Sequence, residues 1–344
     1  MTDRERVLRS LTWENPNSLV TESYVSAATW RTYRELLIPF AKRMPNDFSV
    51  YSGAPDYDKM PSGYGQDEVF EDAWGCIWYC RVAGMQGIIS RHPLNWDGFK
   101  DFKTPDPMKT ADLSPWDQRE FENDLAIKIK HSKFVMCGGE RLWERVHFLR
   151  GYENAMIDLA DDEPNLRELI GMIAEYNIEN AKKYLQYTEV DCIAFQDDWG
   201  EQNRLMISPV MWREYFYDGY RRMFQSVKAA GKYVYFHTDG YLLPVIDDLR
   251  RAGADIINLQ SGCHKLGELY AACNRKVCVS VDIDRQSVMP YGTADEMKRH
   301  IRDIYDNLKG GEGGLWVKID VYPDTPLSNI EAMCEILEEL RAQS

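Results

Sequence analysis

No apolar run in this chain approaches the roughly 20 residues that a membrane-crossing helix needs, so nothing in the sequence reads as a span. Basic residues are in deficit: 41 Lys and Arg face 55 Asp and Glu, a formal charge of −14. That sign favours solubility and repels nucleic-acid phosphates and anionic lipid headgroups, so neither is expected as a partner. Cys-x-x-Cys is absent, and the eight cysteines (Cys76, Cys80, Cys137, Cys192, Cys263, Cys273, Cys278 and Cys334) follow no regular spacing. The opening Met-Thr-Asp-Arg-Glu-Arg-Val-Leu lacks the apolar core of an export signal. Such cysteines then read as reduced thiols, and the expected compartment is the cytoplasm. The glycine-rich stretch 310–314 lacks the Gly-x-x-x-x-Gly-Lys-Ser/Thr pattern and precedes a strand, so it reads as a flexible connection and not a phosphate loop.

What is present is a regular alternation. With 344 residues, 44% of them hydrophobic, the chain can bury one large barrel or two small domains. Beyond residue 130, short apolar strands are predicted at 134–137, 191–195, 232–236, 255–259, 276–281 and 315–319. Between them lie helical patterns at 142–149, 165–187, 208–230, 243–252, 265–273 and 293–308, and a last helix runs from Pro326 to about Arg341. Pro209 just after Ser208 is a helix-opening signal. Strands separated by helices pair in parallel through crossovers. Six strands plus an earlier pair would close a single (β/α)8 barrel over 1–344, an α/β fold of the TIM type. Residues 1–130 are irregular and rich in aromatics and prolines, and they read as an arm or cap over part of the barrel mouth.

Two strands end in reactive side chains. Val-Tyr-Phe-His-Thr-Asp-Gly at 234–240 places His237 and Asp239 two residues apart, on one side of a strand end. Cys-Ile-Ala-Phe-Gln-Asp-Asp-Trp-Gly at 192–200 ends in Asp197, Asp198 and Trp199. In barrels of this class the carboxyl ends of the strands carry the chemistry. Asp198, His237 and Asp239 are therefore the catalytic candidates. Asp197, Trp199, Trp143, Asp282 and Tyr322 are candidates for substrate contact, with Trp74 at the pocket edge. Asp320 is a further carboxylate at a strand end, and Lys318 interrupts an apolar strand.

Several blocks resemble the uroporphyrinogen decarboxylase-like superfamily: Thr2-Asp-Arg-Glu-Arg-Val-Leu8, Asp72-Ala-Trp-Gly-Cys-Ile-Trp78, Leu149-Arg-Gly151, Phe195-Gln-Asp-Asp-Trp-Gly200, Ile207-Ser-Pro-Val-Met-Trp-Arg213 and Phe236-His-Thr-Asp-Gly240. Val281-Asp-Ile-Asp284 with Tyr291-Gly-Thr293, and Pro323-Asp-Thr-Pro326, extend the likeness through nearly the whole chain. The resemblance implies a (β/α)8 barrel. The amino-terminal Met-Arg-Gln-Ala-Gly-Arg motif, whose arginines bind a porphyrinogen's carboxylates in the decarboxylases, is absent. The resemblance is then to the methyltransferase branch, whose enzymes work with corrinoid proteins. It implies transfer of a methyl group from a small methylated donor, such as a methoxylated aromatic, to cobalamin carried by a partner. The alternative is decarboxylation of a small or tetrapyrrole carboxylate.

One departure bears on the metal. Zinc-dependent thiol methyltransferases of the branch carry His-x-Cys and a later cysteine. Here the pair is His237 and Asp239, and the later stretch Lys318-Ile-Asp320-Val-Tyr322 has no thiol. Carboxylates make a harder, more hydrated site than thiolates. His237 and Asp239 are expected to ligate zinc if the site holds a metal, and otherwise to move a proton.

Overall fold

The computed structural model describes residues 1–61 and 63–342. Seven parallel strands form one curled sheet in the order Val20–Val25, Leu315–Val321, Cys278–Asp282, Ile256–Gln260, Tyr233–His237, Cys192–Gln196, Met136–Cys137. The six strands expected beyond residue 130 are all present, each within two residues of its expected ends. Of the earlier pair only Val20–Val25 forms among the described residues, and its polar Val-Thr-Glu-Ser-Tyr-Val sequence gives no apolar run to read.

The eighth place is bridged without a strand. The Asp47 N–H donates to the Thr21 carbonyl at 2.9 Å, and the Phe134 N–H donates to the Asp47 carbonyl at 3.1 Å. Fully buried Asp47 also accepts from the Thr21 N–H at 2.8 Å and from Arg341 Nη1 at 2.9 Å. A carboxyl group holding such donors ties the two sheet edges to the last helix, Leu327–Ala342.

Alternation along each strand sends Val234, Phe236, Val317 and Ile319 outward to the helices and Tyr235, His237, Trp316 and Lys318 into the barrel. The expected helix over 208–230 is two helices, Pro209–Tyr215 and Tyr217–Ala229. The break falls at buried Phe216, whose ring packs on Trp199 at 4.7 Å and Trp143 at 5.6 Å.

The amino-terminal segment carries a small antiparallel sheet of Val69–Glu71, Ile77–Tyr79 and Ile88–Arg91. Asp72 pins it down. Its carboxylate accepts from the Trp74 and Cys76 N–H groups and Trp78 Nε1, each at 2.9 Å, and pairs with fully buried Arg145 at 3.2 Å. Arg145 belongs to the helix Trp143–Arg150 and lies over the Trp74 ring. Trp74 is thereby a packing residue between arm and barrel and does not line the pocket. Among the described residues no helix is long and apolar enough to cross a membrane, and all eight cysteines are free.

Candidate active site

A cavity of about 850 Å³ opens at the carboxyl ends of the strands, walled by Asp198, His237, Asp239, Arg285, Lys318 and Tyr322 among others. From the arm, Val82, Met85 and Gln86 close one side, in line with the expected cap.

Local backbone packing makes the site. Cys192–Gln196 and Tyr233–His237 pair with Gln196 opposite His237. Past that register the two chains stay together through the Asp197 N–H on the His237 carbonyl at 3.0 Å and the Gly200 N–H on the Asp239 carbonyl at 3.1 Å. A Cβ at Gly200 or Gly240 would run into the other's backbone, and Gly240 adopts φ +78°. Only glycine permits that approach, which sets Asp198 beside Asp239.

His237 Nε2 lies 3.7 Å from Asp198 Oδ1 and 3.7 Å from Asp239 Oδ1. Each group is fixed by a further partner. His237 Nδ1 bonds Asn258 Oδ1, Asp239 Oδ2 pairs with Arg285 Nη2, and Asp198 Oδ1 accepts the Asp239 N–H at 2.8 Å. Asp239 Oδ1 is buried with no hydrogen-bond partner. Burial pushes the Asp239 carboxyl above its ordinary range; His237 and Arg285 pull against this, while Asp198 and Asp282 add to it.

These donors fit a divalent cation. One atom from each of the three residues lies within 4.8 Å of the others, and spacings of 3.7 Å suit ligands each roughly 2.1 Å from one ion. The orphaned Asp239 oxygen is a ready acceptor for it. Asp198 thus joins the expected pair of His237 and Asp239 as a third possible ligand.

The remaining sequence candidates divide. Tyr322 lines the cavity, and its hydroxyl accepts from Arg285 Nη1 at 3.2 Å. Asp320 lines it too and pairs with Lys318 at 3.2 Å. Asp282 is buried behind His237, where its Oδ1 accepts from Asn258 Nδ2 at 2.6 Å. Asp197, Trp143 and Trp199 do not touch the cavity, and the expectation of substrate contact is corrected for all three. Asp197 caps the helix Trp143–Arg150 from outside, accepting the Leu142, Trp143 and Glu144 N–H groups at 2.6, 3.0 and 2.7 Å and the Tyr220 hydroxyl at 2.7 Å. It serves the unpaired N–H groups that every helix start leaves. Trp143 and Trp199 are fully buried and stack on each other at 5.1 Å. Trp199 Nε1 donates to Tyr220 at 2.7 Å.

Among the cavity residues that escaped the sequence reading are four charged ones. Arg285 follows the Asp282-Ile-Asp284 turn. Glu22 sits on the polar first strand opposite Lys318. Arg141 and Glu144, 3.1 Å apart, come from the start of the capped helix. Burial moves Glu22 to about 7 despite Lys318. It moves Glu144 to about 8, where Asp198, Asp197 and Asp112 together with burial outweigh Arg141. Burial works against the Lys318 ammonium, yet Tyr235, Asp282, Asp320 and Glu22 hold its pKa well above the usual value. No local sequence pattern marked Glu22, Arg141 or Glu144.

A sequence profile described as uroporphyrinogen decarboxylase (URO-D) matches residues 146–340, more than half of the chain. The chain belongs to that family. Among solved structures, a methyltransferase from Methanosarcina mazei superposes with a TM-score of 0.69 at 15% identity, covering 98% of this chain and 99% of that one. At that identity the match speaks for the fold. A dihydropteroate synthase from Xanthomonas albilineans (TM-score 0.35, 14% identity, 48% of this chain, 61% of that one) and a 3-keto-D-glucoside 4-epimerase from E. coli (0.36, 13%, 63%, 84%) are too distant to carry an argument. No curated protein matches by sequence.

Proposed function

We propose that this URO-D family member is a methyltransferase that moves a methyl group from a small methylated donor, a methoxylated aromatic in the first instance, to a corrinoid protein. The observation that carries the reading is the convergence of Asp198, His237 Nε2 and Asp239 Oδ1 on one point of an open cavity. The full-length likeness to a methyltransferase supports it.

In the reaction the methyl–oxygen bond breaks, its electron pair stays on oxygen, and the methyl group leaves for the acceptor. The leaving oxygen needs a proton or a Lewis acid, because an alkoxide or phenolate departs poorly without one. The reduced corrinoid supplies the cobalt nucleophile that accepts the methyl group. A divalent cation, with zinc favoured by the imidazole, would be held by Asp198, His237 and Asp239 and would supply Lewis acidity at the leaving oxygen. The chain's own groups do the rest. Arg285 keeps Asp239 oriented from behind. Glu22 and Glu144, with proton affinities raised by burial, can present neutral acids to a polar end of the donor. Met85, Met136, Ala194 and Tyr235 give the donor apolar wall. The exposed rim residues Val82 and Asp324 leave the mouth to a protein partner.

One observation favours the second reading, a decarboxylase: Arg141, Arg285 and Lys318 all face the cavity and would attract a carboxylate. Arg141 is already paired with Asp112, Arg285 with Asp239 and Lys318 with Asp320, which leaves methyl transfer ahead. The test combines purified protein, methoxylated aromatics and a cob(I)alamin-loaded corrinoid protein, with methylcobalamin followed by absorbance. Methylcobalamin formation is expected. Carbon dioxide from carboxylated substrates, without methylcobalamin, would favour the decarboxylase. Metal content of protein purified without chelator decides between cation and proton.

A further inference from the structure

His237 is held by a buried amide whose own orientation is settled. Asn258 is fully buried on the neighbouring strand, in register with His237 on one side and Ser280 on the other. Its Nδ2 donates to the Ser280 carbonyl at 2.9 Å and to Asp282 Oδ1 at 2.6 Å. Both partners are pure acceptors, so turning the amide over would set oxygen against oxygen twice. On its other side Asn258 Oδ1 meets His237 Nδ1, with the Lys318 ammonium at 3.5 Å. An oxygen already facing one cation requires a donor from the ring. The imidazole proton therefore sits on Nδ1, and Nε2, facing Asp198 and Asp239, is bare in the neutral ring.

We propose that Asp282 and Asn258 form a positioning relay that locks His237 in the Nδ1–H tautomer, so that a bare Nε2 faces the two carboxylates as a nitrogen donor. Asp282 sets the amide, the amide sets the proton, and the proton sets which nitrogen reaches the cavity. Asp282 is thus withdrawn from substrate contact and acts through two other residues. Outer partners of this kind typically govern metal affinity by roughly 10–100-fold when the ring ligates an ion. The relay rests on the reading above only for its cation; the tautomer stands without it.

The test is a two-bond proton–nitrogen spectrum of the full chain, labelled with 15N-histidine, stripped by chelator and held near pH 8. The His237→Gln variant identifies the resonances. Wild type should show His237 protonated at Nδ1 and bare at Nε2. Asn258→Leu should lose that pattern and weaken cobalt(II) uptake, followed by visible absorption, by about 10–100-fold. Asp282→Asn, which leaves Asn258 in place, should mix the tautomers. A wild-type ring protonated at Nε2 overturns the proposal even if neither variant folds. So does an Asn258→Leu protein with unchanged tautomer and cobalt affinity. The expected tautomer in a wild type that takes up no cobalt supports the relay and removes the cation from the proposed function.

Discussion

The two ends of the same strands differ sharply. At the amino ends the barrel interior is filled by Val20, Phe48, Phe134, Cys192, Ile256, Cys278 and Trp316, all buried in one apolar cluster. Trp316 packs tilted on Phe48 at 5.2 Å and edge-on to Phe134 at 6.1 Å. Two to four residues further on, the same inward faces carry Glu22, Gln196, His237, Asn258, Asp282, Lys318 and Asp320. Strand period keeps the face constant while the chemistry reverses within one layer of side chains. One end is stabilised by dispersion and dry packing; the other holds charges that persist only because they are paired. Stability and function are thereby placed on separate layers of one scaffold.

Substitutions can break that division. Trp316→Ala should cost about 3–5 kcal/mol by emptying a large site in the dry layer, read as a lower urea midpoint with unchanged cobalt(II) uptake. Asp197→Ala tests the boundary. It strips partners from three helix N–H groups and the Tyr220 hydroxyl, and should cost about 2 kcal/mol. If Asp197 touched substrate instead, activity would collapse while the urea midpoint held.

A separate effect is the pH dependence of the charged layer. Glu22 and Glu144 are raised from 4.5 to about 7 and about 8. Between the ordinary and the raised values the folded chain holds protons that the unfolded chain releases. Their contribution is fully present below pH 4.5 and is lost as pH rises through about 7 and 8. The urea midpoint of wild type should therefore include a decline from pH 5 to pH 8.5, and Glu144→Gln should flatten part of it. A variant with the wild-type slope would refute the raised Glu144.

The contrast also explains what could be read from sequence. His237, Asp239 and Asp198 were legible because apolar strands end abruptly in polar residues at glycine turns. The six later strands were legible as short apolar runs between helical patterns. Val20–Val25 was not, because a strand carrying Thr21, Glu22 and Ser23 shows no apolar run. Arg141 and Glu144 reach the cavity because Asp197, more than fifty residues away, caps their helix, and no local pattern encodes that contact. Trp143 and Trp199 share chemistry with pocket aromatics, but their mutual stacking turns them into the core. Asn258 lay inside an expected strand, where an inward amide has meaning only once its neighbours are known.

The most direct measurement of the central claim uses Asp239→Asn, which removes a charge with little change in volume. Methyl transfer to a cob(I)alamin-loaded partner and the urea midpoint would be read on the same preparation. The account predicts turnover reduced by about 10²–10³-fold, a loss on the order of 3–4 kcal/mol of transition-state stabilisation, with the midpoint nearly unchanged. Near-normal turnover, or a loss matched by unfolding, would contradict the assignment of Asp239 to the chemistry.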